Sequence, residues 1–159
     1  MPDTVALRDP ADAGLNESRL THLVGYAASL ASIRLRKTFL RHLGPLQLKV
    51  VEFSILVLVA SNPRLNQKQL GAALDVSAPN LAVILDKLAE RGLLERVRST
   101  VDRRAQQIHL TASGRELAAR AEAISASMET DALRNLSQAE RALLIELLLK
   151  VARTRPSRR

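Results

Sequence analysis

Residues 66–111 read NQKQLGAALDVSAPNLAVILDKLAERGLLERVRSTVDRRAQQIHLT, and the fold turns on how this stretch is arranged. Asn66, with Gln69 three residues on, has the pattern of a capping box and predicts a short helix to about Ala73. Leu74-Asp75-Val76 forms a tight turn. Ser77 then caps a second helix, with Pro79 in its first turn, where a missing N–H costs nothing. Leu81, Ile84, Leu85 and Leu88 give that helix an inner stripe, and Gly92 stops it. Two strands follow near Leu93–Arg98 and Ala105–Leu110; in the second, Gln106, Ile108 and Leu110 alternate with Ala105, Gln107 and His109. Between them lies a polar tip carrying Arg98, Asp102, Arg103 and Arg104.

Outward from this centre the chain reads as helix. Residues 1–17 hold two prolines, a glycine and scattered acids, which predicts a flexible arm. From Arg19 to about Leu43, Leu20, Leu23, Val24, Ala27, Leu30, Ala31, Leu35 and Phe39 recur at helical spacing, and Gly44-Pro45 ends the run. Leu46–Ala60 is β-branched and apolar almost all round, yet its length between Gly44-Pro45 and Asn62-Pro63 favours a buried helix over a strand. Thr111 caps a fifth helix through the alanine-rich segment to about Asn135. Ser137 with Glu140 forms a second capping box and opens a last helix to about Arg153, with Leu143, Leu144, Leu147 and Leu148 on one wide face. The chain is therefore expected to be mainly α, six helices with a small β-hairpin wing, over one domain from residue 18 to 159.

Composition narrows the function. Of 159 residues 47% are hydrophobic but only 2% aromatic, so the core is aliphatic. Tyr26, Phe39 and Phe53 are too few to make stacking platforms for single strands. There is no cysteine, hence no disulfide, no thiolate metal site and no thiol-oxidation switch. His22, His42 and His109 lie on separate elements without metal-ligand spacing, and no phosphate loop or nucleophile elbow appears. Neither an enzyme nor a metal or other cofactor is expected. No apolar signal core or spanning run appears, and a cytoplasmic location is expected. A net charge of +8 and a pI near 11.0 point to a polyanionic partner.

A short helix, a turn and a second helix beside an arginine-tipped hairpin make a winged helix-turn-helix, which places one helix in a DNA major groove and the wing in the flanking minor groove. Ser77, Ala78, Pro79, Asn80, Val83 and Lys87 are expected on the outward face of the second helix. Ser and Asn can hydrogen-bond base edges, while Ala, Pro and Val can meet thymine methyls. Lys87, with Gln67 and Lys68 on the preceding helix, is placed for phosphates. Arg98 and the arginines beyond it can offer a guanidinium to a narrow minor groove. Two plainer alternatives compete: ordinary core helices with a solvated turn, or a basic membrane-surface or protein-interaction module built on the first helix.

Asp102-Arg103-Arg104, followed by Leu110-Thr111 and Gly114, resembles the D-x-R…LT-x-x-G signature of the MarR family of dimeric winged-helix transcriptional regulators. Leu88-Ala-Glu-Arg-Gly-Leu-Leu-Glu-Arg96 is similar to the family's approach to the wing, and the likeness covers nearly the whole chain beyond residue 17. It implies that Asp102 and Arg104 brace the wing, leaving Arg103 as the minor-groove finger. It also implies a DNA-binding lobe over about 46–111 and dimerisation through helices over about 18–43 and 112–153, so that a homodimer reads a palindromic operator on double-stranded DNA, usually as a repressor.

Between Glu17 and Glu52 there is no acidic residue, while Arg19, Arg34, Arg36, Lys37, Arg41 and Lys49 are present. These are either solvated positions or the seat of an anionic effector. Relatives in the resembled family bind small aromatic acids, some as thioesters. By that likeness His22, Tyr26, Arg34, Lys37, Phe39, Arg41, His42 and Phe53 are the effector candidates, for an anionic aromatic or an acyl-CoA.

Overall fold

The computed structural model describes residues 16–98 and 106–153. Among these, six α-helices and one hairpin follow in the order α1 (Val24–Leu43), α2 (Val50–Ser61), α3 (Gln67–Leu74), α4 (Ala78–Glu90), β1 (Leu94–Arg98), β2 (Gln106–Leu110), α5 (Ala112–Met128) and α6 (Gln138–Arg153). The chain divides into two compact units between Arg34 and Leu35, inside α1. No single described helix is long and apolar enough to cross a membrane.

In the first unit the helix starts later than its apolar spacing predicts. Leu20 and Thr21 both donate their N–H to the Glu17 carbonyl, at 2.8 and 3.0 Å, and this turn holds the segment that was expected to be helical from Arg19. Leu20, Leu23, Val24, Leu30 and Ile33 remain exposed.

In the second unit the core is aliphatic, as composition requires. Leu43, Leu48, Ile55, Leu56, Leu70, Leu81, Leu85 and Leu88 are fully enclosed, and Phe39 is the one aromatic among the buried hydrophobic residues. Each contributes roughly 1.5–3 kcal/mol of transfer free energy. α2 packs against α5, β2 and α3, so it is the central helix the apolar run foretold. It begins at Val50 rather than Leu46, because Gly44–Leu46 forms a 3-10 turn and Gln47 takes a left-handed conformation. Glu52, which interrupts the apolar run, is itself buried and accepts the Lys49 N–H at 2.9 Å, capping α2.

β1 and β2 pair antiparallel from Leu94↔Leu110 to Arg98↔Gln106; β1 begins one residue later than the expected Leu93, and Ala105, the expected start of the second strand, lies outside the described residues. Leu94, Ile108 and Leu110 face the core. The pairing extends beyond the hairpin: Ile108 donates to the Leu65 carbonyl at 2.9 Å, and Asn66 bridges Gln107. The entry to α3 is thereby stitched to the wing.

α5 ends at Met128, earlier than the predicted Asn135, and residues 129–135 continue as turns. Thr111 caps α5 as expected, accepting the Gly114 N–H at 3.0 Å. Ser137 and Glu140 form their reciprocal cap, Ser137 N–H to Glu140 Oε2 at 2.8 Å and Glu140 N–H to Ser137 Oγ at 3.3 Å. The bonds from the Ser137 backbone and hydroxyl hold the Glu140 carboxyl below its ordinary value. No residue of α6 is buried.

Candidate nucleic-acid interface

α3, its turn and α4 are held by four devices. At the start, Asn66 and Gln69 exchange both capping bonds, at 2.9 and 3.1 Å. Asp75 then adopts a left-handed φ of 51°, which an aspartate tolerates, and Val76 N–H reaches the Gly71 carbonyl at 3.0 Å. Gly71 lets the turn close, since a Cβ there would sit 3.1 Å from the Val76 carbonyl oxygen. Finally, the Gln67 side-chain amide donates to the Ala78 carbonyl at 3.4 Å, tying α3 to the first turn of α4.

α4 presents two unlike faces. Leu81, Leu85 and Leu88 are fully buried, while Ser77, Ala78, Pro79, Asn80, Val83 and Lys87 are all exposed. Val83 is 53% exposed in the middle of a helix, an apolar side chain half open to solvent. Ser77 occupies the N-cap position but makes no side-chain cap bond, against expectation. Ser77 is instead exposed on the outward face. Gln67 is half-buried and engaged with Ala78, so its amide serves the turn rather than lying open as Lys68 does.

The C-terminal end of α4 closes in a Schellman pattern. Gly92 N–H bonds the Ala89 carbonyl at 2.8 Å and Leu93 N–H the Leu88 carbonyl at 3.0 Å, with Gly92 at a φ of 67°. α5 grips this corner. The Thr111 and Ser113 hydroxyls both donate to the Gly92 carbonyl, at 2.6 and 2.9 Å. Gly114 lies so close that a Cβ would fall 1.8 Å from the Leu93 oxygen. Two ion pairs radiate from the same helix: Asp86 to Arg96 on β1 at 2.8 Å, and Arg91, the C-cap residue, to Glu52 on α2 at 3.5 Å. Neither pair is suggested by local spacing in the sequence.

β1 ends at Arg98, and Asp102, Arg103 and Arg104 lie outside the described residues, as does the Arg98 side chain. The wing-bracing and finger assignments fall there. Among the effector candidates, His22 and Arg34 are exposed and Tyr26 half-buried in the first unit. Partial desolvation and then the neighbouring Glu17 carboxylate push the Tyr26 phenol above its ordinary value. In the second unit Phe39 and Phe53 pair, with ring centroids 5.8 Å apart and planes at 60°. Lys37, Arg41 and His42 are exposed. A depression of about 190 Å³ lies elsewhere, between the end of α2 and β2, lined in part by Asn62, Pro63, His109 and Arg115, and none of the effector candidates borders it. Among the described residues no group of three His, Cys, Asp or Glu is placed to hold a metal ion.

An exposed helix held at a fixed angle beside a two-stranded wing defines a winged helix-turn-helix protein. The sequence profile of the MarR family matches residues 46–105, the span from the α2 approach to the wing. The transcriptional repressor CouR, solved bound to a 23-mer DNA duplex, is 36% identical, superposes with a TM-score of 0.82, and is matched over 87% of this chain and 99% of its own. The same repressor bound to p-coumaroyl-CoA is 34% identical with a TM-score of 0.79, over 91% of this chain and 100% of its own. A transcriptional regulatory protein for the hcr operon of Thauera aromatica is 36% identical over 101 residues, 64% of this chain and 61% of that protein's length. The chain belongs to the MarR family.

Proposed function

We propose that this protein is a ligand-responsive transcriptional repressor that binds a palindromic operator on double-stranded DNA as a homodimer. The observation that carries it is the divided surface of α4, three enclosed leucines behind and Ser77, Asn80, Val83 and Lys87 in the open. Asn80 offers a donor and acceptor to a base edge, Val83 an apolar contact for a thymine methyl, and Lys87 and Lys68 charges for phosphates. Arg103, with Arg98 nearby, serves the minor groove, and Asp102 with Arg104 braces the wing. α6, with its row of exposed leucines, is the surface for the second copy, which sets two α4 helices one helical turn apart on the duplex.

The effector is an anionic aromatic compound or its CoA thioester. The CouR complex with p-coumaroyl-CoA supports this, as do the exposed cations of α1 and the Phe39–Phe53 pair. A ligand that releases DNA must bind the DNA-bound form less tightly, by linkage. The function is exercised in the cytoplasm, beside the genome, and involves no catalysis.

Selection of genomic duplexes on the purified protein tests the proposal. A recurrent palindrome, released on adding p-coumaroyl-CoA or another aromatic acyl-CoA, is the expected result. Retention of anionic vesicles with no sequence-selected duplex would instead support the membrane-surface alternative. Within the recovered operator, Arg103→Ala is expected to weaken binding by about 1 kcal/mol or more per half-site and to flatten the salt dependence. Unchanged affinity and slope would remove Arg103 from the interface.

A further inference from the structure

Glu52 is 7% exposed, and a carboxylate so placed needs a cationic partner. Its Oε2 receives the Lys49 N–H at 2.9 Å and faces Arg91 Nη1 at 3.5 Å. Arg91 is the C-cap residue of α4, at the far end of the helix from the Gln67–Ala78 tie. The leucine stripe of α4 specifies which face is buried but resists rolling and pivoting only weakly, because apolar contact is non-directional. The Arg91–Glu52 bond at one end and the amide bond at the other, together with the Asp86–Arg96 pair to β1, supply the missing direction.

We propose that Glu52 and Arg91 form a positioning pair that sets the angle of α4 for base-edge contact, a role distinct from capping α2. The pair touches no nucleotide and acts through the outward residues of α4. Hydrogen bonds to base edges tolerate little misalignment, whereas phosphate contacts through flexible lysines tolerate more. Loss of the pair therefore lowers specific affinity while non-specific affinity stays.

This inference rests on the DNA-binding function proposed above. The test uses the full-length protein, the operator duplex selected by the wild type, and a random-sequence duplex of equal length. Glu52→Gln keeps an oxygen for the Lys49 N–H and removes the charge. It is expected to weaken operator binding about three- to tenfold, with random-duplex binding unchanged and the melting temperature within about 2 °C of wild type. Arg91→Gln leaves a buried carboxylate without its cation, so both melting temperature and operator affinity fall. Adding Glu52→Gln to it restores the melting temperature but not the affinity, and Arg91→Lys, which keeps the charge, recovers part of the affinity. Operator affinity unchanged in Glu52→Gln, or operator and random-duplex binding falling together, would overturn the positioning role while leaving the DNA-binding function intact. A wild type that selects no duplex would overturn both.

Discussion

Gly114→Ala is expected to lower the melting temperature by about 5–10 °C and to impair DNA binding with it. In an ordinary helix the same change stabilises by roughly 0.4–1 kcal/mol, since alanine loses less backbone entropy on folding. Here contact decides the sign. The new Cβ would lie 1.8 Å from the Leu93 oxygen and 2.8 Å from its carbonyl carbon, and both are backbone atoms that cannot rotate away. α5 must therefore back off from the corner joining α4 to β1, stretching the Thr111 and Ser113 bonds to the Gly92 carbonyl. That corner fixes where α4 ends and where the wing begins, so stability and DNA binding are lost together. Gly25→Ala on α1 is the control, because nothing lies within 4 Å of its Cβ position. Melting both variants at one protein concentration settles the point; a Gly114→Ala protein as stable as the control would mean that α5 does not press on Leu93.

The same corner explains why part of the fold was legible in the sequence. Caps are local events: Asn66 with Gln69, Ser137 with Glu140, and Thr111 with Gly114 lie three residues apart and satisfy the first free N–H groups of a helix wherever they occur. Gly92 was equally readable as a stop. Starts and ends without such chemistry were not. α5 finishes at Met128 with no glycine or proline to mark it, and the apolar spacing before Val24 continues through a turn nucleated by the Glu17 carbonyl. Ser77 occupies its cap position but makes no side-chain cap bond, since residue type fixes what a side chain can bond and not what it does bond. Contacts between distant segments stayed hidden for a different reason. Glu52 and Arg91 are 39 residues apart, and Leu65 meets Ile108 across the whole helix-turn-helix, distances over which no periodicity survives. The outward face of α4 was readable because one helical period sorts Leu81, Leu85 and Leu88 from Asn80, Val83 and Lys87.

Leu144→Glu combined with Leu148→Glu is expected to turn the protein into a monomer in sedimentation and to cost about 10²–10⁴ in affinity for a palindromic operator. Leu143, Leu144, Ile145, Leu147, Leu148, Leu149 and Val151 are each at least 37% exposed, so apolar side chains surround α6 on nearly every side. A helix of that kind is stable in water only when something covers it, and isolated soluble domains seldom leave so continuous an apolar surface open. Positions 144 and 148 lie one turn apart on one face, so the two carboxylates fall side by side where the second copy would pack. No residue of α6 belongs to the buried core, so the two changes leave the interior of the winged-helix lobe unaltered. The winged-helix lobe should keep its helical content and its weak, salt-sensitive affinity for any duplex, while each monomer reads only one half-site. The lost affinity is then the effective concentration that the second copy supplied. A double variant that still sediments as a dimer and holds the operator as the wild type does would move the seam away from α6, and the apolar surface of that helix would need another partner.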